Sequence, residues 1–293
     1  MAVSPLSTST ELSVYDAVSR SLRWFRSDIK LFVRRLALVS FFYCADWHAI
    51  FWLGKSLESP YAVAAMVFAL CLLVVVQFEF GSRMIASWRV FSGKETDFDK
   101  ALARSRQPRV LLLFLPIILS DMLFAVVAVS TYVLTASGLT SDKVLALFLW
   151  LGILCVIWPQ ACLIIWTTFW AYVSEVENCS PWMALKKVFQ LQSKAPYYTF
   201  GIFLFFGFAL VTCEMPFQLF ETMSMFIDQL PLPRSLTPVL KECFEITFAT
   251  GSQIIMLSFQ ICGAAFIYRM LKMRFDGLDI SEKLDQLQSR LAE

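Results

Sequence analysis

Leu115 to Val127 reads LPIILSDMLFAVV, an apolar run interrupted by one acid, Asp121. The surrounding residues, 110–135, continue the apolar pattern, and a bilayer-crossing helix needs about 20 such residues. A carboxylate inside such a run is costly unless it faces other helices rather than lipid. This stretch therefore announces a helix bundle in a membrane with something polar in its interior.

The composition agrees. The 293 residues are 58% hydrophobic and 16% charged, where soluble domains carry about 25% charged residues. With 28 Phe and 9 Trp, a bilayer is the expected solvent. Residues 1–30 hold no uninterrupted apolar segment of the kind a cleavable signal requires, because Arg20, Arg23, Arg26, Asp28 and Lys30 break it. The first apolar run is then expected to serve as the membrane address.

Apolar windows place six spans at about 36–54, 61–80, 110–135, 144–173, 197–219 and 246–268. Trp47, Trp52, Trp166 and Trp170 lie near span ends, where aromatic side chains anchor at the interface. With six spans, 21 of the 25 Lys and Arg residues fall on one side; only Lys55, Lys143, Arg234 and Lys241 fall on the other. The positive-inside rule then puts both termini in the cytoplasm, and an odd number of spans would destroy this separation. The expected location is a cytoplasmic membrane crossed several times. Outer connections at 55–60 and 136–143 are tight, and 220–245 is the long one.

The segments preceding spans 1, 3 and 5 resemble each other: YDAVSRSLRWF from Tyr15, FDKALARSRQP from Phe98 and PWMALKKVFQL from Pro181. Each has an Ala (Ala17, Ala101, Ala184), an apolar residue after it and a basic residue three on (Arg20, Arg104, Lys187). The Ala spacings are 84 and 83 residues. The expected fold is an all-α polytopic membrane bundle forming a single domain. Its three parallel units cover about 14–97, 98–180 and 181–275, each a short amphipathic helix followed by two spans. A cytoplasmic helix is expected over 278–293, where Ile280, Leu284 and Leu287 share a face. The amphipathic segments would set Arg20, Arg23, Arg104, Lys186 and Lys187 near anionic lipid phosphates; a plain positive loop that sets topology is the alternative.

Polar residues in the spans form the candidate site. Asp121 lies 12 residues past Arg109, about 18 Å along a helix and so near the middle of a core about 30 Å thick. Asp46 is 11 residues past Arg35, at nearly the same depth by this count. Gln77 and Gln160 each precede their repeat Ala by 24 residues, and Gln260 sits at similar depth in span 6. Amides in hydrocarbon seek partners across helices, so Gln77 and Gln260 are expected to act as glue. Asp46, His48, Asp121, Gln160 and Glu214 make up an expected intramembrane polar site, with Gln160 and His48 among the partners open to Asp121. Two readings stand: a site for a proton, an ion or a headgroup, or buried acids satisfied by neighbouring amides and hydroxyls.

Several classes are excluded. His48 is the only histidine and no CxxC occurs among the eight cysteines, so sequence spacing offers no metal or cofactor site and no His-based triad. There is no P-loop. Net charge is +2, which gives no case for nucleic acid. No enzyme is expected.

The tail YRMLKMRFDGLDISEKL, Tyr268 to Leu284, and the Ala-Leu-basic segment at Ala184–Lys187 carry a resemblance. They are similar to a bacterial family of multi-pass proteins related to the membrane domain attached to some glycerophosphodiester phosphodiesterases. The resemblance is best over spans 5 and 6 with their flanks. It implies a membrane bundle without the soluble phosphodiesterase domain, and so no catalytic residues. The expected function is transport, channel-like passage or lipid handling, with a non-catalytic scaffold as the alternative. Expected partners are membrane lipids, together with a membrane-protein partner or a second copy.

Overall fold

The computed structural model describes residues 14–54, 60–136, 143–194, 196–222, 227, 233 and 236–276. Within these, side chains are described except at 14–18, 25, 128, 131–136, 143–158, 198, 210–211, 213–222 and 275–276. The described residues are helical, with no strand among them. In chain order the helices are α1 (Val14–Ser27), α2 (Ile29–Gly54), α3 (Pro60–Phe91), α4 (Phe98–Ser105), α5 (Pro108–Ala136), α6 (Lys143–Val176), α7 (Pro181–Lys194), α8 (Pro196–Thr222) and α9 (Thr237–Asp276).

Local chemistry sets the boundaries. Four helices open on proline (Pro60, Pro108, Pro181, Pro196), whose missing N–H costs nothing at the first helical position. Asp97 caps α4, its carboxylate accepting from the Asp99 amide at 3.1 Å. Ser180 Oγ accepts from the Met183 amide at the start of α7. Just past the ends of α3 and α6, Gly93 (φ 72°) and Asn178 (φ 47°) adopt the left-handed conformation that stops a helix there. Pro116 and Pro159 sit inside α5 and α6 without ending them.

Four helical stretches among the described residues are long and apolar enough to cross a membrane: α2, α3, Pro108–Val127 of α5, and α9. In α8 the described apolar stretch, Thr199–Ala209, is shorter. The helices exceed the apolar windows. Helix α3 runs on to Phe91, and α9 begins at Thr237, inside the segment expected to be a long connection, and continues to Asp276. Periodicity marks where residues are apolar, whereas helices continue until a cap or proline stops them. The expected helix over 278–293 and the turns at 55–59 and 137–142 lie outside the described residues.

Helices adjacent in sequence pack as hairpins: α2 with α3, α5 with α6, α8 with α9. Each hairpin's second helix also packs on the first helix of the next, α3 on α5 and α6 on α8, and α9 returns to pack on α2. The short helices follow the same order: α4 packs on α3, α7 on α6 and α1 on α9. Ala101 and Ala184 are fully buried at these contacts, where a larger side chain would hold the helices apart. Trp24 of α1 is buried, edge-on to Phe91 and Phe266. Gly81 allows a close approach of α3 to α5: a Cβ there would meet the Phe114 ring at 2.6 Å and Val110 at 2.8 Å. Leu38, Phe42, Phe68, Leu112, Leu119 and Leu123 point outward from the long helices, as side chains facing lipid do.

Candidate functional site

Asp121 on α5 is 2% exposed. Its carboxylate is met by three neutral donors from three other helices. Gln77 Nε2 of α3 and the Tyr43 hydroxyl of α2 (3.2 Å) donate to Oδ2; Gln160 Nε2 of α6 (2.9 Å) donates to Oδ1. A cavity of about 30 Å³ opens beside this group, lined also by Gln253 and Gln260 of α9. That is room for about one water molecule. Five helices thus contribute polar groups to one buried point. The arrangement can hold the bundle together and bind a water; a space of about 30 Å³ is too small for an organic solute or a lipid.

The expected site residues divide into separate places. Asp121, Gln160 and Gln77 come together, and Gln260 lines the adjoining cavity. Asp46 is also buried, but its Oδ2 has no hydrogen-bond partner among the described residues. Tyr43, one turn earlier, is the α2 residue that reaches Asp121, so α2 sits in a different register from the one the Arg35 count implies. His48 lies elsewhere: its Nδ1 is 3.2 Å from Glu242 Oε2 of α9. The side chain of Glu214 lies outside the described residues. Tyr43 escaped the sequence reading; its signal was a hydroxyl-bearing aromatic inside an apolar run, less conspicuous than a carboxylate.

A second group of acids gathers at the basic end of the bundle. Glu175, near the end of α6, is 4% exposed. It accepts from Arg89 Nε at 2.8 Å and from a second Arg89 nitrogen at 3.2 Å. Arg109 approaches at 3.1 Å and Lys94 Nζ at 3.8 Å. Two residues on, Glu177 accepts from Lys187, from the Tyr268 hydroxyl at 2.8 Å and from Lys272 at 3.2 Å. Burial pushes the Glu177 carboxyl upward, but these three hydrogen bonds outweigh it and hold it below the ordinary glutamate range. The same contact raises Lys187. Glu79 of α3 accepts from Arg83 at 3.0 Å and from Arg106 at 2.7 Å. The hydrogen bond to Glu79 raises the Arg106 guanidinium in turn.

These pairings alter the expected lipid contacts. Lys187 is bound to Glu177 and Arg104 to Glu95. Arg23 and Lys186 are exposed, and Arg20 is half-buried with an interaction of its own. The amphipathic helices therefore dock their inner faces on the bundle. On α7, Trp182, Met183 and Phe189 remain exposed.

Beside α7 lies a larger opening. A groove of about 480 Å³ runs between α6, α7 and α8, lined mainly by Leu163, Trp166, Phe200 and Phe203, with Gln192 at α7 and Thr199 at α8. Its walls are apolar and it adjoins the helix that carries Lys186 and Lys194.

No protein-family model matches the chain, and no curated protein or solved structure matches it.

Proposed function

We propose that this chain is a six-span membrane protein of a bacterial inner membrane that binds and handles lipid at the α6–α7–α8 groove, without catalysis. The six spans are α2, α3, α5, α6, α8 and α9, in three parallel units with both termini cytoplasmic. The cyclic order of packing supports the units: every short helix packs on the preceding long one, and α1 closes the ring on α9. The uneven distribution of basic residues supports the orientation. The resemblance to the membrane domain associated with glycerophosphodiester phosphodiesterases fits the same layout, as does its lack of catalytic residues to carry over.

The observation that carries the lipid reading is the contrast in size between the two openings. The opening beside Asp121 has room for about one water, whereas the groove holds about 480 Å³ of mostly apolar space beside a basic helix. Apolar walls suit an acyl chain, and lysines at the headgroup level favour an anionic lipid. Native mass spectrometry after detergent exchange tests this. The wild type is expected to retain an anionic phospholipid that Leu163→Trp, which places a bulky ring in the groove, releases. Equal retention by both would sink the reading. The closed, satisfied environment of Asp121 favours a second reading, a membrane scaffold. On that reading Leu163→Trp changes neither bound lipid nor stability, and association with another membrane protein or a second copy is what can be measured.

A further inference from the structure

We propose that His48, Glu242 and Glu245 form a binding site for a divalent transition metal ion, Zn²⁺ by its chemistry, at the end of the bundle remote from the Glu175 and Glu177 clusters. The inference is independent of the lipid groove.

The three side chains come from two helices. His48 is on α2, and Glu242 and Glu245 are on α9, 194 residues or more further along the chain. One ligand atom from each lies within 4.8 Å of the other two, and His48 Nδ1 is 3.2 Å from Glu242 Oε2. Zinc bonds of about 2.1 Å in a tetrahedron separate ligand atoms by about 3.4 Å. Side-chain rotation of an ångström or so would therefore bring all three to bonding distance. The donor set is one imidazole and two carboxylates. Magnesium and calcium prefer oxygen alone, so the imidazole selects a transition metal. Two carboxylates neutralise a 2+ ion, and three protein ligands leave a fourth position for water.

Electrostatics point the same way. Glu242 and Glu245 are three residues apart on one helix, where like charges repel. Both converge on the one histidine of the chain. A cation between them relieves the repulsion, and it would bind α2 to α9 where the ring of helices closes. The site is half open: the His48 and Glu242 side chains are 28% and 52% exposed, so an ion can enter from water. Cys243 is exposed nearby but lies about 100° further round α9, outside the donor set.

The test uses the whole chain, purified through a tag without histidine, stripped with chelator and titrated with ZnCl₂ by calorimetry. The wild type is expected to bind zinc with one-to-one stoichiometry and to melt at higher temperature when loaded. His48→Gln and Glu245→Gln should each weaken binding by about tenfold or more and lose the zinc-dependent rise, each measured against the same variant's own metal-free melting temperature. Cys243→Ser should bind as the wild type does. X-ray absorption of the loaded wild type should show imidazole and oxygen neighbours whatever the variants do. Sulfur ligation, absence of stoichiometric binding, or binding unchanged in both variants would overturn the proposal.

Discussion

Asp121 and Glu175 are both buried acids, yet they are satisfied in opposite ways. Asp121, in the middle of the bundle, is held by two amides and a phenol. Glu175, at the basic end, is held by two guanidiniums and an ammonium. The distance from water accounts for the difference. A cation in the hydrocarbon region must be desolvated before it can pair, whereas a neutral amide loses far less on burial. At the end of the bundle, arginine and lysine stems can lie along the helices with their heads near water. The two acids therefore do similar structural work with partners chosen by depth.

The largest effect should follow from Glu175→Ala. Removing the carboxylate leaves Arg89 and Arg109 facing each other without their shared partner, while Lys94 keeps the backbone carbonyl of residue 175 at 2.8 Å. Breaking such a buried ion cluster costs about 3–5 kcal/mol. Thermal unfolding in detergent should show a markedly lower melting temperature, and Glu175→Gln should recover part of it. A melting temperature equal to the wild type would show that the cations find other partners and that the contrast between the two acids is superficial.

A smaller effect is expected at the neutral cluster. Asp121→Ala removes three interhelical hydrogen bonds, each worth roughly 0.6 kcal/mol in a membrane protein, for a loss of about 2 kcal/mol. Asp121→Asn should cost less, because Gln160 can turn its amide to present oxygen to the new NH₂ group. The comparison can be read by equilibrium unfolding of both variants. An Asp121→Asn loss greater than that of Asp121→Ala would show that the charge, rather than the hydrogen bonding, holds the helices.

The smallest effect belongs to Glu177. Its carboxyl is held below the ordinary value of 4.5, so its ionised form is favoured in the folded state. The stabilisation is fully present above the ordinary value and disappears as pH falls through the lowered one. Lys187 is 37% exposed, so solvent screening limits its pair to under about 1 kcal/mol. Melting curves of wild type and Glu177→Gln should differ at neutral pH and converge as the pH falls through the lowered value. Curves that stay apart at acid pH would show that the glutamate acts through packing.

The fold class was legible because apolar periodicity is a local signal. So were the short helices, whose recurring Ala positions turn out, at Ala101 and Ala184, to be the buried contact points of α4 and α7. The meeting of Gln160 with Asp121 was legible too, since few polar groups inhabit the spans and each must find another. The register between helices was not. Tyr43 rather than Asp46 meets Asp121, because tilt and packing shift α2 relative to α5 by amounts that no residue count contains. His48 was placed with the interior acids because a lone histidine near Asp46 carries no mark of its real neighbours. Those neighbours, Glu242 and Glu245, stand in a stretch that reads as a connection and is instead the opening of α9. The Glu175 cluster was missed for a related reason: its cations come from positions 89, 94 and 109, all read as loop charge that sets orientation.

The docking of α1 on α9 has a consequence in time. Helix α1, with Trp24 on its buried face, is made well before α9, the helix it rests against. At about 5–20 residues per second, some tens of seconds separate their synthesis. Throughout that interval Trp24 can have Phe91 of α3 beside it but not Phe266 of α9, and the membrane interface is the place where such a half-covered helix can wait. Every other short helix finds its partner already inserted when it emerges, since α4 follows α3 and α7 follows α6. The ring is therefore closed by α1 only after α9 has been made.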